Sequence, residues 1–109
     1  MDVKRLSFTQ ALEGFTRLVA QGEAGFDPVI QDAIQNGKAQ KFEYTLELCW
    51  KAIKETLKSR EGIDESSPKK VVRAFFLAGY LKEADYLRLL QAIDDRNQLS
   101  HIYDQAVFN

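Results

Sequence analysis

The sequence is poor in the residues that build metal centres and covalent cross-links. Its 109 residues include one cysteine, Cys49, and one histidine, His101. A single cysteine cannot form an internal disulfide, and one cysteine with one histidine cannot supply a zinc ligand set. We therefore expect no cofactor and no metal, so that any catalysis is metal-free unless carboxylates gather a hard cation.

Long apolar segments are also missing. The longest stretch without a charged side chain, residues 74–81, is far too short to cross a bilayer. The N-terminal residues lead into no apolar segment of the signal-peptide type. The length suits one domain with a single core, residues 1–109. We expect a cytoplasmic location and no membrane partner.

An overall excess of positive charge is likewise absent. The formal net charge of -1 argues against a general nucleic-acid coat protein, because such proteins neutralise phosphates with Lys and Arg. The charge is unevenly distributed, since residues 51–73 carry seven cations and four anions. This segment is either a local basic face or an ordinary solvated helix surface of mixed charge, and the sequence leaves both interpretations open.

Apolar residues recur at helical spacing through nearly the whole chain, and no strand pattern or internal repeat competes with them. The first predicted helix covers about residues 3–21. Asp27 and Pro28 then have the order of an N-cap followed by a first-turn proline. They predict a short helix that stops at Asn36-Gly37.

Three further helices follow in the predicted order. An apolar stripe predicts a helix of about four turns over residues 42–57. Ser67-Pro68 begins the next helix, which Gly79 ends as a C-terminal cap. The last helix begins at Glu83, contains no Gly or Pro, and continues to about Ala106. The predicted core residues are Phe8, Leu12, Phe15, Val19, Val29, Ala33, Ile34, Phe42, Leu46, Cys49, Trp50, Ile53, Leu57, Val71, Val72, Phe75, Tyr86, Leu87, Leu90 and Ile93. The predicted fold class is all-α, an up-and-down four-helix bundle with an additional short helix.

Residues 96–103, with the sequence RNQLSHIY, carry the chemistry. They combine a permanent cation (Arg96), an imidazole (His101) and a phenol (Tyr103) within about two helical turns. Metal-free RNA cleavage needs a base for the 2′-hydroxyl proton, an acid for the leaving oxygen and a cation for the charge on phosphorus. Histidine suits either proton transfer, and arginine binds phosphate oxygens in bidentate geometry. Arg96 and His101 are therefore candidate catalytic residues, while Tyr103 either orients substrate or attacks an activated nucleotide.

Helical geometry separates these groups. Arg96 and Tyr103 are seven residues apart and share a face, whereas Asn97 and His101 are four apart and share a neighbouring face about 100° away. A single helix does not bring Arg96 and His101 onto one phosphate. Another element must complete such a site, and a symmetric second copy of the helix is the simplest supplier.

Each of these residues also has a structural interpretation. His101 can be a surface hydrogen-bonding residue, and Tyr103 an aromatic at the edge of the core. Arg96 can pair with a neighbouring carboxylate: Asp94, Asp95 or Asp104. Asn97, one turn before His101, either fixes the imidazole tautomer or is merely exposed.

A pair of acidic residues lies earlier in the chain. Glu43 and Glu47 are one helical turn apart and share a face. They either attract a metal or a basic partner, or form a solvated acidic surface.

Three segments resemble a known family. Residues 95–104 (DRNQLSHIYD) resemble the signature of the HEPN superfamily, in particular its nucleotidyltransferase substrate-binding proteins, whose pattern is arginine, four residues, histidine, one residue, tyrosine. Residues 41–51 (KFEYTLELCWK) resemble the family's RFEFTFELAWK, and residues 67–75 (SPKKVVRAF) its SPKDVIREAF. The match runs in order over about residues 3–106. Tyr44, Leu46 and Cys49 depart from the pattern in ways that suggest packing changes.

The resemblance implies a helical bundle that forms homodimers, similar to the C-terminal domain of kanamycin nucleotidyltransferase. It implies a hetero-oligomer with a minimal nucleotidyltransferase, as a toxin and antitoxin pair. By resemblance, Arg96 and His101 act in a metal-independent endoribonuclease site at the dimer interface, supported by Asn97, Tyr103 and Asp104. The partner adenylylates Tyr103 to silence the enzyme. The family's older description implies an alternative, a noncatalytic subunit that presents substrate to the nucleotidyltransferase.

Overall fold

The structure is a computed structural model that describes the backbone of residues 3–108 and the side chains of residues 3–99. Four helices and no strand occur in this part of the chain: α1 (Val3–Val19), α2 (Pro28–Glu61), α3 (Pro68–Leu77) and α4 (Glu83–Phe108). The all-α class predicted from the apolar spacing is confirmed, and the helices are those of a helical bundle.

The chain divides into two compact units, residues 1–48 and residues 49–109. The boundary falls inside α2, so that helix contributes its first part to the N-terminal unit and its last part to the C-terminal unit. The expectation that residues 1–109 form a single domain stays a prediction.

The starts of α2 and α3 agree with the cap signals in the sequence. The backbone N–H of Ile30 donates to Oδ1 of Asp27 at 3.0 Å, and Pro28 occupies the first turn of α2. Ser67 has an extended backbone (φ -110°, ψ 148°) before Pro68, which opens α3. Both prolines stand where the missing N–H costs no helical hydrogen bond.

The predicted helix break at Asn36-Gly37 is wrong, because α2 runs unbroken for 34 residues. The Asn36 side-chain amide donates to Oδ2 of Asp32 at 3.3 Å, one turn earlier in the same helix. At Gly37 an added Cβ would lie 3.6 Å from Cδ2 of Leu18, so this position is packed against α1. Packing outweighs the roughly 1 kcal/mol by which glycine disfavours a helix. The additional short helix is therefore the first part of α2.

In the N-terminal unit, α1 packs antiparallel to the first part of α2. The Phe15 and Phe42 rings are 5.9 Å apart, and Oγ1 of Thr45 donates to the carbonyl of Ala11 at 3.3 Å. No residue of α1 is fully buried. Its predicted core residues divide accordingly: Phe8 and Phe15 are half-buried, whereas Leu12 and Val19 are exposed. In the first part of α2, the predicted core residues Val29 and Ala33 are also exposed.

The C-terminal unit contains the most deeply buried residues. Val71 and Val72 of α3 are 0% exposed, Leu57 of α2 is 1% exposed, and Ile93 of α4 is also buried. Burying each such side chain contributes on the order of 1.5–3 kcal/mol. The prediction of these four as core residues is confirmed, whereas Leu87 of α4, also predicted to be core, is exposed.

A glycine ends α3, as the sequence predicts. Gly79 has φ +91°, its N–H donates to the carbonyl of Phe76 at 3.0 Å, and the N–H of Tyr80 donates to the carbonyl of Phe75 at 3.2 Å. This pair of bonds is a Schellman motif, in which the left-handed residue lets the chain reverse. The Phe75 and Tyr80 rings stack with centroids 4.6 Å apart, which supplies the apolar contact that accompanies the motif.

Two contacts fix the register of α3 against α4. The Phe76 and Tyr86 rings stack at 4.4 Å, and Nζ of Lys69 lies 2.6 Å from Oδ1 of Asp94. Residue numbers therefore rise along α3 as they fall along α4, so the helices are antiparallel. Since α3 begins at Pro68, the part of α4 that follows Asp94 extends past the start of α3.

Candidate functional site

The candidate motif lies on α4, which is continuous from Glu83 to Phe108. The prediction of one uninterrupted helix through residues 96–103 is confirmed. On this continuous helix, the Cα positions of Arg96 and His101 differ by about 140° around the axis and by about 7.5 Å along it. Within one chain, α4 presents these two positions in different directions.

Arg96 is held at the edge of the core of the C-terminal unit. It lies one turn after the buried Ile93, and its own Nε atom is buried while the residue as a whole is partly exposed. Because Nε is buried, fewer rotamers are available to this side chain than to a fully exposed arginine. The position of the guanidinium group is therefore restricted.

The structure shows the surroundings of three sequence neighbours of Arg96. Asn97 is exposed. Asp94 forms the ion pair with Lys69 of α3, and Oδ1 of Asp95 accepts a hydrogen bond from the Gln91 amide at 3.0 Å. Asp94 therefore connects α4 to α3, whereas the contact of Asp95 lies within α4.

The remaining predicted site residues are His101, Tyr103 and Asp104. Their positions belong to α4, but their side chains lie outside the described residues. Their predicted roles in catalysis, in support and in adenylylation stay predictions.

Other potentially reactive groups are inert or dispersed. Burial raises the pKa of the Cys49 thiol to about 11, so this thiol stays protonated at neutral pH and is a poor nucleophile. Glu43 and Glu47 are both half-buried, and no cluster of three possible metal-ligating side chains occurs among the described residues. In the same part of the chain, no helix has the length and hydropathy needed to span a membrane.

The cations of residues 51–73 have different environments in the structure. Lys54 of α2 lies 3.5 Å from Oδ1 of Asp64 and donates to the carbonyl of Glu65 at 2.9 Å, so it anchors the loop after α2. Lys69, Lys70 and Arg73 instead form the exposed cationic face of α3. The sequence places these three among the seven cations of residues 51–73, where a local basic face is one of two interpretations, but does not separate them from the other four. The available signal was that α3 contains three cations and no Asp or Glu.

Comparisons with known proteins agree with this architecture. A family model described as "Nucleotidyltransferase substrate binding protein like" matches residues 4–109. No curated protein matches the chain. A solved crystal structure, that of the protein ttk003001694 from Thermus Thermophilus, has a TM-score of 0.74 and 30% sequence identity over 91% of this chain and 78% of that chain. With nearly its full length matched and α4 intact through the motif, the chain belongs to the nucleotidyltransferase substrate-binding protein-like family.

Proposed function

We propose that this protein is a HEPN-type toxin subunit, a homodimeric endoribonuclease that works without metal and is silenced by a partner nucleotidyltransferase. The observation that carries the proposal is the continuity of α4 through an R-x4-H-x-Y motif, with Arg96 anchored at the edge of the core. Family membership supports the partnership with a nucleotidyltransferase.

The positions of Arg96 and His101 point in different directions on one helix, and for this reason the proposed active form is a dimer. Arg96 and His101 diverge along one α4, so one copy alone does not place both on the same phosphodiester. A twofold axis beside α4 would bring Arg96 of one copy towards His101 of the other. The proposed catalytic unit is therefore a cross-copy pair.

The proposed reaction is transesterification within RNA. His101 accepts the proton of a 2′-hydroxyl, whose oxygen attacks the adjacent phosphorus while the bond to the 5′-oxygen breaks. The 5′-oxygen takes a proton from a water molecule, and the resulting hydroxide takes the proton held by His101, which restores the water and the neutral imidazole. The products are a 2′,3′-cyclic phosphate and a 5′-hydroxyl. Arg96 stabilises the extra negative charge on the phosphoryl oxygens, as a permanently charged bidentate donor.

Regulation follows from the position of Tyr103. This residue is two turns after Arg96 on the same helical face. Transfer of AMP from ATP to the Tyr103 hydroxyl, with release of pyrophosphate, places an anion there that can engage Arg96. The partner nucleotidyltransferase thereby blocks the phosphate site.

Cleavage of RNA in excess EDTA tests the catalytic part of the proposal. We expect the pure protein to cut single-stranded RNA, and Arg96→Ala or His101→Ala to lower the rate by at least about 100-fold, the range of a lost proton-transfer or charge-stabilising group. Product ends are identified by mass spectrometry. Arg88→Ala is the matched control, because Arg88 is on the same helix with its side chain 82% exposed.

The variants must remain folded and dimeric for this comparison, which circular dichroism and light scattering establish. Intact RNA after incubation with a folded wild-type dimer would contradict the proposal. Equal loss of activity in Arg88→Ala would show that helix stability, rather than the motif, controls the rate.

A second candidate function is favoured by the description of the family. In that case the protein is a noncatalytic subunit that presents an acceptor to the nucleotidyltransferase. Arg96 would then bind a phosphate of the nucleotide or acceptor rather than a phosphodiester undergoing cleavage.

Coexpression with the partner nucleotidyltransferase separates the two functions. The toxin proposal predicts that the intact mass of this chain rises by whole AMP units and that Tyr103→Phe abolishes the rise. It also predicts that His101→Ala relieves growth arrest when this chain is expressed alone. Unmodified chain, together with growth unaffected by the wild type, would favour the noncatalytic subunit.

A further inference from the structure

The first two turns of α3 present a cationic outward face. Lys69, Lys70 and Arg73 are all exposed, and the helix they belong to, Pro68–Leu77, contains no acidic residue. Lys69 shares its charge with Asp94 in an ion pair whose two side chains are about half exposed. Lys70 and Arg73, one turn apart, are left as the principal cations of this surface, which we call the α3 cationic face.

The placement of these charges works against the helix that carries them. Ser67 is the N-cap and Pro68 the first helical residue, so Lys69 and Lys70 occupy the first turn. The helix macrodipole favours anions in that turn and disfavours cations. A glutamate at position 70 would also complete a capping box with Ser67, whose side chain makes no capping hydrogen bond. Local helix stability therefore does not account for Lys70, whereas binding of an anion would.

The same face lies beside the motif end of α4. The Lys69–Asp94 ion pair joins the first turn of α3 to a point two residues before Arg96. Because the helices are antiparallel, α4 continues from there past the start of α3. A polyanion that reaches residues 96–103 can contact the first turn of α3 without leaving the C-terminal unit.

We infer that the α3 cationic face binds the phosphate backbone of single-stranded RNA and guides it to the motif. This inference rests on the proposed function for the choice of polyanion. Lysine is depleted in protein–protein interfaces but is a common phosphate contact, and two of the three cations here are lysines. These features favour nucleic acid over an acidic protein surface.

Salt-dependent binding of a fluorescent single-stranded RNA, measured by anisotropy, tests the inference. His101→Ala protein serves as the background so that the RNA stays intact. Adding Lys70→Gln and Arg73→Gln should weaken binding about tenfold in dilute salt and make the slope of log K against log salt shallower by about 1.4, the value for two lost contacts to a single strand. Lys82→Gln, an exposed cation outside the face, is the matched control and should change neither quantity.

A single charge reversal separates binding from stability. Lys70→Glu should weaken RNA binding at least as much as Lys70→Gln while raising the midpoint of thermal unfolding, because it supplies the favoured charge in the first turn. Weaker binding together with lower thermal stability would overturn the inference, since Lys70 would then be a structural residue.

The outcomes for RNA binding and RNA cleavage are distinguishable. Unchanged binding by the Lys70→Gln/Arg73→Gln protein overturns the inference even if the wild type cleaves RNA. Reduced binding supports it even if the wild type does not cleave, in which case the proposed ribonuclease function fails alone. Absence of RNA binding by the wild type also overturns it. The inference fails as well if the Lys70→Gln/Arg73→Gln protein binds RNA normally but no longer binds the partner nucleotidyltransferase in a pull-down, because the face would then bind protein.

Discussion

The two compact units differ in how their helices are held together. In residues 1–48, α1 has no fully buried residue, and its contacts with α2 include a tilted aromatic pair and a hydroxyl-to-carbonyl hydrogen bond. In residues 49–109, aliphatic side chains from α2, α3 and α4 are almost completely removed from water. The candidate site belongs to the second unit, so Arg96 is positioned by the better-packed part of the protein.

Two glycines, one in each unit, differ in a separate way. Gly37 lies inside α2, where close packing against Leu18 keeps the helix continuous despite a turn-like sequence. Gly79 lies after α3 with a positive φ, and the helix ends there. The lesson is that a glycine acts as a helix terminator only where the surrounding packing leaves the left-handed conformation as the better solution.

Truncating one leucine in each unit should give the largest difference in stability. Leu57→Ala removes a side chain that is 1% exposed and should lower the free energy of unfolding by about 2–5 kcal/mol. Leu12→Ala removes one that is 43% exposed and should cost less than about 1 kcal/mol. Urea unfolding monitored by circular dichroism measures both values. Equal losses would break the contrast between the units.

Gly79→Ala should have a smaller destabilising effect. The alanine Cβ is disfavoured at φ +91°, which costs about 1–2 kcal/mol. No atom lies within 4 Å of the added Cβ, so the loss reports backbone strain rather than a clash. A thermal unfolding midpoint equal to that of the wild type would show that the turn after α3 is not left-handed in solution.

Gly37→Ala should have the smallest effect, and its sign is opposite. Alanine favours a helix over glycine by about 0.5–1 kcal/mol, and its Cβ would make an ordinary contact at 3.6 Å from Leu18. We therefore expect a modest rise in the free energy of unfolding, measured by the same urea titration. A loss of stability would indicate that the chain breaks at Asn36-Gly37 after all.

The sequence was sufficient for the features that depend on local signals. Apolar spacing, the Asp27-Pro28 and Ser67-Pro68 starts and the Gly79 cap all correspond to helix boundaries in the structure. The predicted helix break at Asn36-Gly37 is wrong because tertiary packing outweighs the cost of about 1 kcal/mol for glycine inside a helix. Helical spacing identifies an apolar stripe but not how wide a part of it a neighbouring helix covers. For this reason five residues predicted to be core are exposed: Leu12, Val19, Val29, Ala33 and Leu87.

The candidate site divides in a similar way. The motif could be found from residue types and spacing, because arginine, histidine and tyrosine are close together in sequence and on one helix. The α3 cationic face could not, because its relation to the motif depends on the antiparallel register that places Lys69 against Asp94. Long-range register of this kind is set by packing and leaves no local signature.

The central claim is that Arg96 of one copy and His101 of another act on the same phosphate. The most direct test is a heterodimer of Arg96→Ala and His101→Ala chains, isolated through two different tags and assayed on RNA in EDTA. One of its two cross-copy pairs is intact, so we predict about half the wild-type rate per dimer, while each homodimeric variant is inactive. A heterodimer as inactive as either homodimer would contradict the claim.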